Sequence, residues 1–316
     1  MKENKKFIKK IIGKVELLAS GESMVDDRYS DGSVEDNMLK LFKGESSTTD
    51  MENIINNNPS WPERYHLSPV RKNLLDWYDF SKEATLLEVG VGCGAVTEVF
   101  TQKLSKVVGV ELSKKRAEIT AERHKYRDNL TIYAGNLNDI EIDEKFDYVT
   151  SIGVLEYAGK YTHTSNPFLD FIFKMKGYLK DGGILIIAIE NKFGLKYWAG
   201  AKEDHTGKFF DSIENYPSKK GVKTFGKKEI SDLLYEAGFS DLKFYYPMPD
   251  YKLPIEIFSD EYLPTMNHNI RMGMFPVRDY SKEREFLFNE KLAMDNIIQN
   301  GQFDFFANSF LIFAKL

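Results

Sequence analysis

Leu86-Leu87-Glu88-Val89-Gly90-Val91-Gly92-Cys93-Gly94-Ala95 is the stretch on which the fold turns. Its apolar start reads as a buried strand. The three glycines that follow at alternate positions read as a turn that lets backbone approach a ligand where a Cβ would clash. Val96 to Leu104 then reads as a helix. A strand, a glycine turn and a helix N-terminus in that order make a nucleotide-cofactor site.

Two cofactor classes fit these glycines. Gly90-x-Gly92-x-x-Ala95 satisfies the dinucleotide fingerprint, which admits Ala at its last position. Glu88, however, would set a carboxylate close to a pyrophosphate, with unfavourable Coulomb energy. S-adenosylmethionine carries no phosphate, and its sulfonium and ammonium attract an acid at a strand tip. With Glu88 in place, LLEVGVGCG resembles the first motif of the class I S-adenosylmethionine-dependent methyltransferases, apolar-apolar-acid-x-Gly-x-Gly-x-Gly. The resemblance implies a Rossmann-like α/β fold. Its seven-stranded sheet is mostly parallel with the last strand antiparallel, and helices cover both faces. It also implies Glu88, Gly90, Gly92 and Gly94 at the cofactor, with S-adenosyl-L-homocysteine as product.

A second acid supports the cofactor site. Lys106-Val107-Val108-Gly109-Val110-Glu111 is a short apolar strand ending in a carboxylate, roughly 20 residues after the glycines, where a ribose-binding acid is expected. An ionised carboxylate accepts from both ribose hydroxyls; Leu112, next along, is expected beside the same ligand. NAD shares that ribose, so Glu111 does not separate the two cofactors. The resemblance assigns the loop after the third strand to adenine. Asn136 stands there where Asp is common, with Leu137 after it. The loop after the fourth strand, Ser151-Ile152-Gly153-Val154-Leu155-Glu156-Tyr157, is implied to line the methyl-transfer site, with the Ile152 or Gly153 carbonyl toward the cofactor ammonium.

Composition narrows the classes further. The chain has 316 residues, 29% charged, with net charge −5. That length suits one large domain or a domain with additions, and no basic excess favours a nucleic-acid partner. Cys93, the only cysteine, rules out an internal disulfide and a cysteine metal cage and reads as a small filler in a tight loop. No apolar run is long enough to span a membrane. Lys14 and Glu16 interrupt the apolar part of the N-terminus, so it reads as a weakly amphipathic helix rather than a signal peptide, and a cytoplasmic location is the expectation.

Residues 1–60 read as a partly flexible appendage, in which Ser33 caps a short helix ended by Gly44. Val70 to Phe80 has near-helical apolar spacing. Residues 61–316 read as the main domain. Candidate strands Leu86–Val89, Val107–Glu111, Leu130–Ala134, Tyr148–Ile152 and Ile184–Ile189 alternate with helices Val96–Leu104, Lys114–Tyr126 and Phe168–Leu179, the pattern of a parallel sheet. Lys227–Ala237 follows as a helix, Leu242–Tyr246 and Phe305–Ala314 as strands. The insertion 248–302 is expected to form a lid and to carry a helix, Ser281–Ile298, with Ser281 at its N-cap and Glu283 in its first turn.

The acceptor is sought in the loop after the fifth strand, from Glu190-Asn191-Lys192-Phe193-Gly194-Leu195-Lys196-Tyr197-Trp198-Ala199-Gly200 through Glu203-Asp204-His205 to Tyr216-Pro217. A loop this long is usually functional or disordered. Together with Tyr246-Pro247-Met248-Pro249-Asp250-Tyr251-Lys252-Leu253-Pro254 and the Trp61-to-Pro69 run, it resembles methyltransferase modules of bacterial surface-polysaccharide biosynthesis. That resemblance implies O-methylation of a sugar, a polysaccharide precursor or another glycosylated acceptor. It also brings in a glycosyltransferase partner or a homodimer. An alcohol nucleophile wants a base or a metal. His205 is the first candidate base and His66 the second, with Glu156 and Glu190 as further acids and His163 the weakest histidine. Tyr65 or His66 is expected at the methionine carboxylate. No His/carboxylate cluster of tight spacing declares a metal site. Three alternatives stay open: methylation of a small natural product at O, N or C; an NAD-dependent oxidoreductase, against which Glu88 and the terminal strand argue; and a cofactor-binding scaffold without catalysis that serves a glycosyltransferase.

Overall fold

The first fourteen described residues fold as a strand hairpin, not as the amphipathic helix expected of them. Phe7–Ile12 (β1) and Val15–Ser20 (β2) pair antiparallel around a Gly13-Lys14 turn, Ile12 opposite Val15. Lysines gave this segment a helical look, but β-branched Ile8, Ile11, Ile12 and Val15 favour a pleated surface. Gly13 has φ +60, and a Cβ there would lie 2.1 Å from the Lys125 carbonyl oxygen, which also accepts the Lys14 N–H at 2.7 Å. Glycine is therefore required on both counts. The computed structural model describes residues 7–20, 31–45, 53–217, 221–268, 274–277 and 284–316.

The chain divides into two units, Met1–Thr150 with Tyr178–Lys180, and Ser151–Gly177 with Asp181–Leu316. Elements of the first continue with α1 (Ser33–Lys40), α2 (Trp61–Leu67), β3 (Thr85–Val89), α3 (Thr97–Lys103), β4 (Lys106–Glu111), α4 (Lys114–Arg123), β5 (Leu130–Ala134) and β6 (Phe146–Ile152, its last two residues counted in the second unit). Their strand order is β1-β2-β5-β4-β3-β6. Strands β2, β5, β4 and β3 run parallel in that succession. The order reverses at β3, and ligands of open α/β sheets bind beyond the carboxyl ends of strands at such a reversal. Leu86, Leu87, Val107 and Ile132 are fully buried, as strands covered on both faces require.

Residues 31–45 are built into this first unit rather than standing apart, and the division falls at Thr150, not near residue 60. Helix α1 packs against α4, and Met38, Leu41 and Leu67 enclose Cys93 and Ile119. Gly32, not Ser33, occupies the α1 cap position, and Gly44 at φ +85 ends the wider π-turn that follows. Ser60 starts α2 with a capping box, exchanging bonds with Glu63, a device worth about 1 kcal/mol. The segment expected as a helix over Val70–Phe80 is instead a 3-10 turn, Pro69–Leu74, followed by turns.

The second unit holds α5 (Pro167–Lys176), β7 (Leu179–Glu190, its first two residues counted in the first unit), α6 (Lys227–Glu236), β8 (Asp241–Met248), β9 (Glu256–Ser259), α7 (Glu290–Gln299) and β10 (Ser309–Lys315). Strand order is β7-β10-β8-β9, and β10 is antiparallel to both neighbours. The last strand thus runs as expected. The described residues contain ten strands against the seven expected; the three extra, the β1-β2 hairpin and β9, are additions that periodicity did not reveal. Helix α7 starts at Glu290, where Asn289 accepts the Leu292 N–H at 3.0 Å. Ser281 and Glu283, the expected cap and first turn, lie outside the described residues.

Residues just before β10 clasp the end of β7. Asn191 donates its N–H to the Asn308 carbonyl at 3.0 Å, and its side-chain amide to the Phe305 and Ala307 carbonyls at 2.7 and 2.8 Å. Asn308 Oδ1 accepts the Lys196 N–H at 3.0 Å, and Ser309 Oγ accepts the Tyr251 N–H at 2.8 Å. Glu190, opposite Ser309 in register, is thereby held rigidly. Among the described residues no helix is long and apolar enough to cross a membrane.

Candidate functional site

In the first unit the glycine turn leaves β3 with Gly90, Gly92 and Gly94 at φ +83, +56 and +78, all in the left-handed region. A Cβ on Gly92 would point into open space, whereas one on Gly94 would lie 2.8 Å from His124 Nε2 and 3.0 Å from Thr120 Cγ2. Gly94 is thus a packing glycine, while Gly92 leaves room where a ligand would come. His124 Nε2 donates to the Gly94 carbonyl at 2.8 Å, and burial lowers this imidazole to about 4. We expect Gly94→Ala to cost about 1–3 kcal/mol through its φ and the clash. Urea unfolding measures this; an unmoved midpoint would mean the turn tolerates a Cβ.

Glu88 and Glu111 end adjacent parallel strands. Glu111 Oε2 accepts the Gly92 N–H at 2.8 Å and Oε1 the Ser113 N–H at 2.9 Å, so the turn and the start of α4 fix its carboxylate. Burial raises the Glu111 carboxyl, against the pull of the Ser113 N–H and Arg116. Glu88 is 3% exposed and accepts from Thr97 Oγ1 at 2.7 Å; burial pushes it up to about 8. Leu112 follows Glu111 and is half-buried. Asn136 takes the Asn138 N–H on its Oδ1 at 3.0 Å, and Leu137 is buried.

His66 and Tyr65 lie on α2 in a network that sequence spacing did not suggest. His66 Nε2 is 3.2 Å from Asp31 Oδ2, and Asp31 and Glu35 both bind Arg116, at 3.1 and 2.7 Å. Burial holds His66 below the usual imidazole range. Arg71 stacks on the Tyr65 ring, 4.3 Å from its centroid, and donates to its hydroxyl at 3.3 Å. Cys93 is 1% exposed and its thiol is pushed up by burial, consistent with a filler.

The second unit gathers Glu156, Glu190 and His205 from three separate segments. Their donor atoms lie within 4.8 Å of one another, and all three side chains are almost wholly buried. Glu156 follows β6 and Glu190 ends β7. His205 Nδ1 donates to Glu203 Oε1 at 2.8 Å, while Glu203 Oε2 accepts the His205 and Thr206 N–H groups at 2.8 and 2.6 Å. The Tyr216 hydroxyl donates to Glu203 as well, at 3.3 Å. Nε2 of His205 faces Glu156 Oε1 at 3.6 Å and Glu190 Oε2 at 3.8 Å. Burial lowers this imidazole, but Glu190, Glu156 and Glu203 outweigh it and hold it well above the usual range. Burial raises the Glu156 carboxyl, with Glu190 adding to it and His205 opposing. Burial would raise Glu203 too, yet its bonds from His205 keep it low.

Further groups frame the cluster. Tyr251 donates to Glu190 Oε1 at 3.3 Å, and Lys252 ion-pairs with Glu190 and with Asp204. Asp204 also takes Lys196 at 2.9 Å, and the two lysines hold it below the usual carboxylate range against burial. The residue next to His205 in sequence therefore turns to lysines, and Glu203 orients the imidazole. The Tyr157 ring meets His205 edge-on at 5.3 Å. Gly153, at φ +69, sits with Tyr251 so close that a Cβ would be 2.8 Å from its hydroxyl. Glu203, Tyr216 and Lys252 were not picked out as site residues. The one local signal was the Glu203-x-His205 spacing, which a turn uses to fold the carboxylate onto the ring.

Residues 87–187 match the family model described as methyltransferase domain. Over 103 residues the chain is 31% identical to the dTDP-4-amino-2,3,4,6-tetradeoxy-D-glucose N,N-dimethyltransferase of Saccharopolyspora spinosa, covering 33% of this chain and 39% of that protein. Over 146 residues it is 30% identical to the ubiquinone biosynthesis O-methyltransferase of Haemophilus ducreyi, covering 43% and 58%. The chain thus spans well under two thirds of the length of these relatives. A solved S-adenosylmethionine-dependent methyltransferase of Thermotoga maritima, described as a possible histamine N-methyltransferase, superposes at TM-score 0.43 with 17% identity, covering 88% of this chain and 99% of that one.

Proposed function

We propose, from residues 87–187 as a class I methyltransferase domain with S-adenosylmethionine as its methyl donor, that the chain methylates a hydroxyl oxygen of a sugar or glycosylated acceptor. The buried Glu156–Glu190–His205 cluster carries this reading. An alcohol is a poor nucleophile until its proton is removed, whereas a neutral amine attacks without such help. The relative named for a dTDP-linked amino sugar supports a sugar as acceptor.

In this reading Glu111 accepts the two ribose hydroxyls, Glu88 meets the ammonium, and Asn136 and Leu137 take the adenine. Tyr65 and His66 meet the methionine carboxylate. His205, oriented by Glu203, meets the acceptor hydroxyl. The imidazole there already carries its proton, so the hydroxyl gives its own to a carboxylate of the cluster, Glu156 or Glu190, and an oxygen lone pair attacks the methyl carbon. The carbon–sulfur bond pair leaves with sulfur, giving a methyl ether and neutral S-adenosylhomocysteine. Alignment of oxygen, methyl and sulfur supplies much of the acceleration in such a displacement. Incubation with methyl-labelled S-adenosylmethionine and a panel of sugar nucleotides, free glycans and simple amines tests the reading. Label on a sugar oxygen supports it; label confined to amines refutes it.

Glu88 gives a second, independent test. Raised to about 8, it is protonated in the free protein at neutral pH. An ammonium beside it favours the carboxylate. Ligand binding at pH 7 is then expected to release up to about one proton, and affinity to rise with pH until about 8. Calorimetry with S-adenosylhomocysteine in phosphate and in Tris reads the proton as a buffer-dependent enthalpy that Glu88→Gln abolishes. Equal enthalpies in both buffers would take Glu88 away from the ammonium.

A further inference from the structure

We propose that Glu156, Glu190 and His205 form a binding site for one divalent first-row transition ion, Mn²⁺ or Zn²⁺, at the acceptor end of the reaction; this rests on the methyl-transfer reading above. The donor set is in place. His205 Nε2, a Glu156 oxygen and a Glu190 oxygen converge within 4.8 Å. Each of these two carboxylates has one oxygen, Glu156 Oε2 and Glu190 Oε2, buried with no hydrogen-bond partner among the described residues, in side chains only 1% and 0% exposed. Buried carboxylate oxygens are costly to leave unpaired, so the arrangement points to an occupant.

The distances fit an ion better than a bare ion pair. A charge-assisted imidazolium–carboxylate hydrogen bond runs about 2.7–2.9 Å, whereas Nε2 stands 3.6 and 3.8 Å from its two carboxylates. Ligands about 2.0–2.2 Å from a common ion lie roughly 3.0–3.5 Å from one another. The two imidazole–carboxylate separations would close by only a few tenths of an ångström.

The surroundings match as well. A metal-bound histidine almost always gives its other ring N–H to a carboxylate or carbonyl, which fixes the tautomer and the ring. Glu203 does this at 2.8 Å and is itself tied by two backbone N–H groups and the Tyr216 hydroxyl. Glu190 keeps its other oxygen on Tyr251 and Lys252, so the metal-facing oxygen is aimed. One imidazole with two carboxylates favours Mn²⁺ or Zn²⁺ over Ca²⁺, which takes oxygen ligands alone. An ion there would hold the acceptor oxygen and polarise it as a Lewis acid, and the hydroxyl proton would leave to water. The three segments lie far apart in sequence, which is why spacing declared no metal.

Calorimetry and elemental analysis of the full chain, stripped with EDTA and reloaded with MnCl₂ or ZnCl₂, test the site. One ion per chain is expected, with a rise in thermal midpoint that EDTA reverses. Glu156→Gln and Glu190→Gln should each weaken binding at least tenfold, and Glu203→Gln about tenfold. Circular dichroism checks that each variant is folded, and the wild-type titration stands on its own if one is not. No stoichiometric binding by the wild type at millimolar metal overturns the proposal. So does affinity that folded Glu156→Gln and Glu190→Gln leave unchanged, or a midpoint raised by ethylammonium and by neither metal, which would give the site to an ammonium group. Metal binding without methyl transfer to any sugar would fault the proposed function alone; transfer unaffected by EDTA, with no metal bound, would fault the metal alone.

Discussion

His205→Ala is expected to lower turnover by about 10²–10⁴-fold while S-adenosylhomocysteine binds as to the parent. The range is that of a disrupted acid–base cluster, and an ion that loses its one nitrogen ligand would be dislodged with similar effect. His205 is bonded to Glu203 and faces Glu156 and Glu190, all within the second unit. Glu88, Gly92 and Glu111, the residues proposed for the cofactor, belong to the first. A clean split between turnover and cofactor affinity is therefore the diagnostic result. Single-turnover methyl transfer with a labelled donor, beside calorimetry with the product, measures both. Parental turnover in a folded variant would remove His205 from the chemistry.

Glu111→Ala should produce the opposite split, a cofactor affinity lowered about a hundredfold. Two hydrogen bonds from ribose hydroxyls to a carboxylate account for about 3 kcal/mol even at the low end of charge-assisted bonds. The carboxylate also anchors the Gly92 and Ser113 N–H groups, so its loss loosens the glycine turn itself. Calorimetry decides, with thermal unfolding as the check on folding. An affinity within about threefold of the parent would refute the ribose role.

The two sites were not equally legible. The first lies within one stretch, because a single segment carries strand, turn and helix start, and the acid proposed for the ribose follows at a fixed separation. Strands β3 to β5 lie within a residue of their expected bounds. The catalytic cluster was read only as separate residues. Glu156, Glu190 and His205 were each picked out, but their meeting is a tertiary event. The orienting acid proved to be Glu203, because a turn brings an i, i+2 carboxylate back onto the ring where Asp204 is taken by two lysines. The N-terminal hairpin was misread for a physical reason too: β1 is an edge strand exposed from Ile8 to Ile11, so its lysines and isoleucines lack the in-out alternation that marks a strand.

The clasp on β7 carries a consequence for how the protein is made. Asn191 and Lys196 find their partners 116 and 112 positions further along the chain. While a ribosome is still adding residues short of 305–309, the strand that ends in Glu190 has no Asn308 or Ser309 to secure it. Contacts over such separations form late because closing the intervening chain costs entropy first. The glycine turn, Glu111 and β3 to β5 need nothing from that distant segment. A nascent chain would thus become able to hold the methyl donor before it could spend it.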